Sequence, residues 1–364
     1  MAEPKGAAAC PHFGTCGGCT LFDLPDTAYL IRKSSVLESA LRRAGFTDVS
    51  LHPTARTGPG ERRRMDLAAR RTRTGVALGL HRHRSPEVVN LSTCSVLHPT
   101  LVALFPSLRD LARRLQCLRR EASVIANLLD SGPDLLLRTD ASLTLPDRLA
   151  LTEFAHVNAV PRISWARTND EPEPIIVQQR PIIALSGVQV APPPGAFLQA
   201  SPSGEAAIIK AVLAALPAKG RTAELYAGCG SLTFALASRT RVVAWEGDAA
   251  SATALRTAAH SAALSGRVEV IHRDLARQPL QPNELSKFSA VVLDPPYAGA
   301  AVQISQIATA KVPVVLYVSC NPATLARDAR TLRNAGYRLT AAQPIDQFLW
   351  SDELESVCTF VIQS

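Results

Sequence analysis

A cysteine at the end of a strand-like run is the residue in this chain best placed to do chemistry. In VVLYVSCNPATLARD, residues 314–328, five apolar residues lead to Ser319 and Cys320, and Asn321-Pro322 then turns the backbone. A thiolate is a strong nucleophile, and the N-terminus of the helix expected to follow can lower the pKa of a thiol beside it. We therefore interpret Cys320 as a nucleophile rather than as a packing residue.

A glycine turn, ELYAGCGSLT, indicates a ligand pocket upstream of this thiol. Gly228 and Gly230 allow the backbone to approach a ligand that a Cβ atom would exclude, and helix N-terminal amides follow. Glu246, about twenty residues further on, ends the next expected strand, where a carboxylate can bind both ribose hydroxyls of an adenosine. Asp274 ends a third strand and could reach the adenine edge. Together these residues resemble the S-adenosylmethionine pocket of class I methyltransferases, while the missing third glycine disfavours NAD.

The fourth expected strand ends in VVLDPPY, which fixes an extended turn after an acid. The two prolines should aim Asp294 and Tyr297 at the group beside the cofactor's methyl, although a rigid loop with no further role is the plainer interpretation. D-P-P-Y is also similar to the motif of amino-group methyltransferases that act on adenine, in which the aromatic ring stacks on a flipped base. Adenine methylation is therefore an alternative hypothesis, and it needs no cysteine.

A pyrimidine carbon, in contrast, needs both a thiol and a base. Addition of a thiolate to C6 of uracil makes C5 able to take a methyl group, and a base must then remove the C5 proton to expel the enzyme. Cys320 can supply the thiolate. Glu355, in WSDELESVCTF just before the last expected strand, is the candidate base.

Four cysteines form a candidate metal site. CPHFGTCGGC contains Cys10, Cys16 and Cys19, whose spacing is short enough to ligate one centre, and Cys94 in LSTCSVLHP is the expected fourth ligand. Four thiolates admit either zinc or an iron–sulfur cluster. Surface thiols without a ligand are the alternative, which their clustering disfavours.

The surrounding pattern divides the chain into two domains. Residues 1–190 comprise the Cys-rich segment 1–25, a helix near residues 26–45 and a mixed, mostly antiparallel β-rich region over residues 50–190. After the prolines of VAPPPGAFLQAS, residues 191–364 alternate apolar strands with amphipathic helices, which predicts a parallel sheet covered on both faces. The predicted fold class is α/β, with a Rossmann-like C-terminal domain preceded by a mixed α+β lobe.

Composition and charge favour a polyanionic partner. The chain has 364 residues, 39 Lys and Arg against 31 Asp and Glu, and an Arg-rich segment over residues 61–84 that is expected to contact phosphates. No apolar run reaches the roughly 18 residues that span a bilayer, and the first residues lack a signal-peptide pattern. We expect a cytoplasmic protein that binds RNA, with no membrane and no obligate protein partner.

Several motifs together resemble the RNA 5-methyluridine methyltransferases. These are YVSCNPATLARD, DPPY, LYAGCGSLT, GAFLQAS and the LES that contains Glu355. The resemblance implies a Rossmann-like class I methyltransferase domain, Cys320 as nucleophile and Glu355 as proton acceptor. It also implies that the methyl donor and the target base are lined by Gln199, Tyr226, Ser231, Glu246, Asp274 and Asp294.

The same resemblance implies a [4Fe-4S] cluster on Cys10, Cys16, Cys19 and Cys94, with zinc less favoured. Because members that carry the cluster often act on rRNA, it favours 23S rRNA over tRNA as the substrate. A non-catalytic, cluster-bearing RNA-binding protein is a further alternative.

Overall fold

The computed structural model describes residues 10–362, and within them two large β-sheets and one two-stranded sheet organise the chain. The elements of the N-terminal part are α1 (Asp26–Arg43), β1 (Ala55–Arg56), β2 (Arg64–Thr72), β3 (Gly75–His81), β4 (Val88–Asn90), α2 (Pro99–Val102), α3 (Phe105–Arg114), β5 (Glu121–Leu129), β6 (Gly132–Thr139), α4 (Leu145–Val157), β7 (Arg162–Arg167), β8 (Glu173–Val177), β9 (Ile183–Leu185) and β10 (Val188–Val190). The elements that follow are α5 (Pro202–Ala215), β11 (Arg221–Leu225), α6 (Thr233–Ala237), β12 (Arg241–Glu246), α7 (Ala249–Ser261), β13 (Val268–His272), α8 (Pro282–Leu285), β14 (Ala290–Leu293), α9 (Ala301–Ala310), β15 (Val314–Ser319), α10 (Pro322–Asn334), β16 (Tyr337–Asp346) and β17 (Glu355–Ile362).

The first sheet has seven strands in the order β4-β3-β2-β5-β6-β7-β8. Its neighbours are antiparallel except β6 and β7, which α4 connects as a crossover, so the expected mostly antiparallel region is confirmed. Helix α4 is absent from the sequence-based expectations, although Thr144 and Asp147 form a capping box at its start. The buried faces of β2, β5 and β6 pack with α3 and α4 into one apolar core.

The second sheet has eight strands in the order β1-β16-β17-β15-β14-β11-β12-β13. Strands β11 to β15 are parallel, as their continuous apolar sequences predict. Strand β17 is antiparallel to both neighbours, because no crossover helix separates it from β16. The strand order reverses beside β11 and β14, so a crevice for ligands is expected at their carboxyl ends. This is the Rossmann-like architecture predicted for the C-terminal domain.

Two elements that precede residue 190 belong to the second sheet. Strand β1 pairs with β16 in parallel, with Ala55 opposite Ile345. Helix α1 packs on α10, and its Leu37 and Leu41 lie in the same core as Phe360 of β17. The segment 26–56 therefore packs with the C-terminal domain, because its apolar side chains find partners far away in sequence. The predicted domain boundary after residue 190 stays a prediction.

Within residues 10–362, no helix is both long enough and apolar enough to cross a lipid bilayer.

Candidate active site

The glycine turn follows β11 at the carboxyl edge of the sheet. Tyr226, Gly228 and Gly230 all have positive φ angles, of 64°, 57° and 105°. A Cβ atom on Gly230 would lie 2.6 Å from side-chain atoms of Leu255 and of the nearby Phe234, whereas a Cβ atom on Gly228 would meet nothing within 4 Å. Gly230 is thus needed for packing, and Gly228 leaves open space in which a ligand can approach the backbone.

Glu246 lies beside this turn, as predicted from its spacing. Its carboxylate accepts hydrogen bonds from the backbone N–H groups of Gly228 and Asp248, each at 2.7 Å. Asp274 follows β13, and the Cα atom of Asp274 would lie 3.6 Å from a Cβ atom added to Gly247. The carboxyl ends of β12 and β13 therefore meet at one edge, with Asp274 exposed and Glu246 partly buried.

Two other predicted residues lie on the same turn. Tyr226 is partly buried, and burial raises its pKa to about 12, with further contributions from the charges of Asp328 and Asp274. Ser231 is partly buried and lies two residues before α6. The structure thus gathers these residues with Gly228, Gly230 and Glu246 at the carboxyl end of β11.

Glu224 is a buried acid that the sequence reasoning missed. It lies on β11 and is 2% exposed, and its Oε2 atom has no hydrogen-bond partner among residues 10–362. Burial raises the pKa of Glu224 to about 8, a hydrogen bond from Thr233 opposes this, and the charges of Asp294 and Glu246 add to it. The signal in the sequence was an acid four residues before the first glycine of the turn, inside an otherwise apolar strand.

A chain of amide and carboxyl groups crosses the carboxyl edge of the sheet. Gln199 donates from Nε2 to Oδ2 of Asp294 at 2.8 Å, and its Oε1 accepts a hydrogen bond from Nε2 of Gln347 at 2.8 Å. The Nε2 atom of Gln347 also donates to Oε2 of Glu355 at 2.8 Å. Gln199 and Asp294 were predicted site residues, and Gln347 was not. The chain joins the acid after β14 to the acid that begins β17.

Cys320 and Glu355 face one another across two strand ends. In the antiparallel pair of β15 and β17, Ser319 lies opposite Ser356, so the next pair in this register is Cys320 with Glu355. Directly opposed residues in such a pair have Cβ atoms about 4.5–5.5 Å apart and point to the same face. The structure therefore brings together the predicted nucleophile and the predicted base.

The two groups share a buried environment that raises the pKa of each. Burial raises the pKa of Cys320 to about 12, and the charges of Glu355 and Asp294 add to this. Burial and the charge of Asp294 also raise the pKa of Glu355 well above its usual value. The expected lowering of the thiol pKa by the following helix is therefore wrong for the free protein. The cause is burial together with the charges of Glu355 and Asp294. The first amides of α10, those of Ala323 and Thr324, donate to the side chain of Asn321.

The D-P-P-Y turn is tied to α10. Asn321 donates from Nδ2 to the carbonyl oxygen of Tyr297 at 2.8 Å, and the N–H of Ala300 donates to Oδ2 of Asp328 at 2.9 Å. Burial, opposed by the hydrogen bond from Gln199, raises the pKa of Asp294 to about 6. The Tyr297 side chain is 63% exposed, so it projects from the edge that carries Asp294 and Cys320.

The loop between β16 and β17 is anchored by α1. Nζ of Lys33 lies 2.8 Å from Oδ1 of Asp346, and both side chains are fully buried. Lys33 also donates to the carbonyl oxygens of Phe348 and Glu353, at 3.1 and 2.5 Å. Because this loop runs from Asp346 to Glu355, the anchor fixes the backbone on both sides of Gln347 and before Glu355.

Comparison with known proteins identifies the family. The sequence profile of tRNA (Uracil-5-)-methyltransferase matches residues 193–362. An uncharacterized RNA methyltransferase of Mesorhizobium japonicum is 40% identical over 349 residues, which cover 96% of this chain and 83% of the relative. The 23S rRNA (uracil(1939)-C(5))-methyltransferase of Yersinia enterocolitica is 33% identical over 362 residues, which cover 97% of this chain and 81% of that protein. The chain belongs to the RNA uracil-5 methyltransferase family.

A solved structure shares the fold of this RNA methyltransferase. The Pyrococcus abyssi tRNA (uracil-54, C5)-methyltransferase, in complex with S-adenosyl-L-homocysteine, superposes with a TM-score of 0.71 at 19% identity, covering 96% of this chain and 86% of that chain. The family resemblance drawn from the sequence motifs is confirmed, and so is the predicted class of enzyme.

The four predicted metal ligands of this RNA methyltransferase are Cys10, Cys16, Cys19 and Cys94, and all four line one pocket. Arg62 and Trp350 also line this pocket. Burial raises the pKa of Cys19 to about 12, and the charges of Cys94, Cys16 and Cys10 add to this. All four thiols are free of disulfides. Among residues 10–362, however, no three His, Cys, Asp or Glu side chains are close enough together to hold a single metal ion.

Several arginines of the segment 61–84 form ion pairs and hydrogen bonds within the protein, which the composition alone does not indicate. Arg63 is 7% exposed and forms a buried ion pair with Glu205 at 2.8 Å. Arg71 donates to three backbone carbonyl groups, and Arg82 pairs with Glu87. The phosphate contacts predicted for this segment are therefore left to basic side chains other than Arg63, Arg71 and Arg82. One of them, Arg64, lies with its guanidinium carbon 5.0 Å from the ring centroid of Phe197, which is 59% exposed and two residues before Gln199.

Proposed function

We propose that the protein methylates C5 of a uridine in structured RNA, with S-adenosylmethionine as the methyl donor. The observation that carries this proposal is the strand register that sets Cys320 opposite Glu355 at the edge where Gly228, Glu246 and Asp294 also lie. That arrangement supplies a nucleophile, a proton acceptor and a cofactor turn at one crevice. Family membership gives the reaction class independently of this geometry.

Bound S-adenosylmethionine supplies an electrophilic methyl group on a sulfonium and leaves as S-adenosylhomocysteine. Gly228 offers an open backbone for it, and Glu246, Asp274 and Glu224 supply carboxylates for its hydroxyl and cationic groups. A cationic ligand also lowers the pKa of neighbouring acids and thiols, so it favours the ionised forms that burial suppresses in the free protein.

Cys320 and Glu355 carry the steps at the base. The Cys320 thiolate adds to C6, the electrons of the C5–C6 double bond move into the ring as an enolate, and C5 takes the methyl group. Glu355 then accepts the C5 proton, the double bond forms again, and the bond from sulfur to C6 breaks to free the thiolate. Uridine and the methyl donor thus become 5-methyluridine, S-adenosylhomocysteine and a proton.

We favour 23S rRNA over tRNA as the substrate. The relative from Yersinia enterocolitica, matched along 97% of this chain, is named for methylation of 23S rRNA, whereas the tRNA enzyme of Pyrococcus abyssi shares 19% identity. Both RNAs are cytoplasmic in bacteria, so the predicted cytoplasmic localisation is compatible with either. Adenine methylation has only the exposed Tyr297 in its support.

The direct test incubates purified protein and labelled S-adenosylmethionine with unmodified 23S rRNA and tRNA transcripts, and maps the products by mass spectrometry. We expect 5-methyluridine in 23S rRNA, and none with Cys320→Ala. Methylated adenine, or methylation that survives loss of Cys320, would contradict the mechanism. Methyluridine found in tRNA alone would overturn the choice of substrate.

We also propose that the four pocket cysteines hold a [4Fe-4S] cluster. Four thiols free of disulfides line one pocket, and four thiolates are the ligand set of such a cluster. Burial and the neighbouring thiols raise the pKa of Cys19, and a cationic centre would stabilise its thiolate. A zinc ion requires all four sulfurs about 2.3 Å from one point, a tighter grouping than these side chains have. Iron and sulfide analysis of anaerobically purified protein tests this: about four of each per chain is expected, and stoichiometric zinc would contradict it.

A further inference from the structure

Gln347 occupies the junction between the two acids of the active site. It is 2% exposed, and its single amide makes three hydrogen bonds: to Gln199, to Glu355 and to the backbone N–H of Ala200. A buried amide with its oxygen and both donor hydrogens engaged has one orientation only. The position is also crowded, because a Cβ atom on Gly204 of α5 would lie 2.7 Å from the Cβ atom of Gln347.

The polarity of the hydrogen-bond chain follows from the Ala200 N–H group. That group can only donate, so it fixes Oε1 of Gln347 as the acceptor, at 3.1 Å. The NH2 group of Gln347 must then face both Gln199 and Glu355, and the amide nitrogen of Gln199 must face Asp294. Each acid therefore receives one N–H donor, and neither amide can turn over without leaving buried groups unpaired.

This arrangement engages one oxygen of Glu355 and leaves the other free. Oε2 accepts from Gln347, whereas Oε1 is buried and has no hydrogen-bond partner within the described residues. Glu355 is itself 3% exposed. An unpaired carboxylate oxygen that is buried at the strand end opposite Cys320 is poised to accept a proton from a base bound there.

Building on the proposed function, we propose that Gln347 is the positioning residue for the proton-removal step. It holds Glu355 so that Oε1 is free to take the C5 proton, and through Gln199 it couples this carboxylate to Asp294. Gln347 acts through Glu355 and makes no bond to the substrate. It therefore serves the second half of the reaction, after the methyl group has been transferred, and not the addition of the Cys320 thiolate.

The test is the lifetime of the covalent adduct with ordinary uridine RNA. In Gln347→Met, which keeps the length of the side chain and removes its hydrogen bonds, we expect the adduct to form at the wild-type rate and to decay about 10- to 100-fold more slowly, the effect of losing one hydrogen bond to a charged group. A denaturation-resistant complex of protein and labelled transcript should therefore accumulate. Gln343→Met makes the same change on β16, where the amide donates to the backbone carbonyl groups of Pro53 and Pro344, and it should behave as wild type.

The outcomes separate the two proposals. Adduct decay at the wild-type rate in Gln347→Met, or an equal slowing of formation and decay, would overturn the positioning role. If Gln347→Met does not fold, Gln347→Asn retains the amide but shortens it by one methylene, and the same selective slowing is expected; unselective slowing would overturn the role. If neither the wild type nor Gln343→Met forms an adduct or methylates uridine, the proposed function itself fails.

Discussion

The free protein should protect the thiol of Cys320 from small electrophiles. An unhindered cysteine has a pKa of about 8.5, so about one in four is a thiolate at pH 8. With a pKa of about 12, Cys320 has about one thiolate in ten thousand. The higher basicity of that thiolate recovers about 25- to 55-fold in intrinsic reactivity. Alkylation of Cys320 in the folded protein should therefore be about 40- to 100-fold slower than in the unfolded chain.

The assay measures iodoacetamide labelling of the Cys320 peptide by mass spectrometry, in native and in denatured protein. Glu355→Gln removes the largest neighbouring charge, so it should lower the thiol pKa and speed native labelling. Glu353→Gln, an exposed acid on the same loop with a weaker effect on the thiol, is the matched control and should change the rate less. Equal labelling rates in native and denatured protein, or no difference between the two variants, would refute the argument that burial and Glu355 hold Cys320 as a thiol.

Three further predictions concern individual ionisable side chains. Lys33→Met should cost about 3–5 kcal/mol of unfolding free energy in urea, because it leaves Asp346 buried without its cation; a cost below about 1 kcal/mol would contradict this. Glu224 keeps its proton in the folded state between about pH 4.5 and 8, so the folded protein should lose about 4–5 kcal/mol as pH rises through that window, and Glu224→Gln should flatten the profile; an unchanged slope would count against it. Glu246→Ala should weaken S-adenosylmethionine binding in calorimetry about 10-fold or more, and unchanged affinity would remove Glu246 from the cofactor site.

The pairing of Cys320 with Glu355 shows how far the sequence could go. Each residue lies at the end of a strand with a clear apolar pattern, so its position could be predicted from the sequence. Methylation of a pyrimidine carbon requires both a thiol and a base, so the chemistry indicated the same two residues. Gln347 gave no such signal. Its role depends on contacts with Gln199, 148 positions away in sequence, and with Glu355 on the neighbouring strand. A glutamine in a loop has no periodicity or motif that would indicate those contacts.

Long-range packing also explains the other differences. Helix α1 was recognised from its periodicity, but its place beside α10 depends on which apolar surface it covers, and periodicity does not specify that. Phosphate binding by the basic segment was predicted from composition alone. Arg63, however, forms a buried ion pair with Glu205, 142 positions away in sequence. The pKa of Cys320 was expected to fall because a helix follows it, but burial and the charges of Glu355 and Asp294 raise it, and these depend on the folded packing.

Covalent trapping on RNA that contains 5-fluorouridine is the most direct test of the central claim. With fluorine at C5 there is no proton for Glu355 to remove, so the reaction should stop at the methylated covalent adduct. The wild-type protein with S-adenosylmethionine should give a complex that survives denaturation and maps to the peptide containing Cys320, and Cys320→Ala should give none. A wild-type protein that methylates ordinary uridine RNA but never forms this complex would contradict covalent catalysis by Cys320.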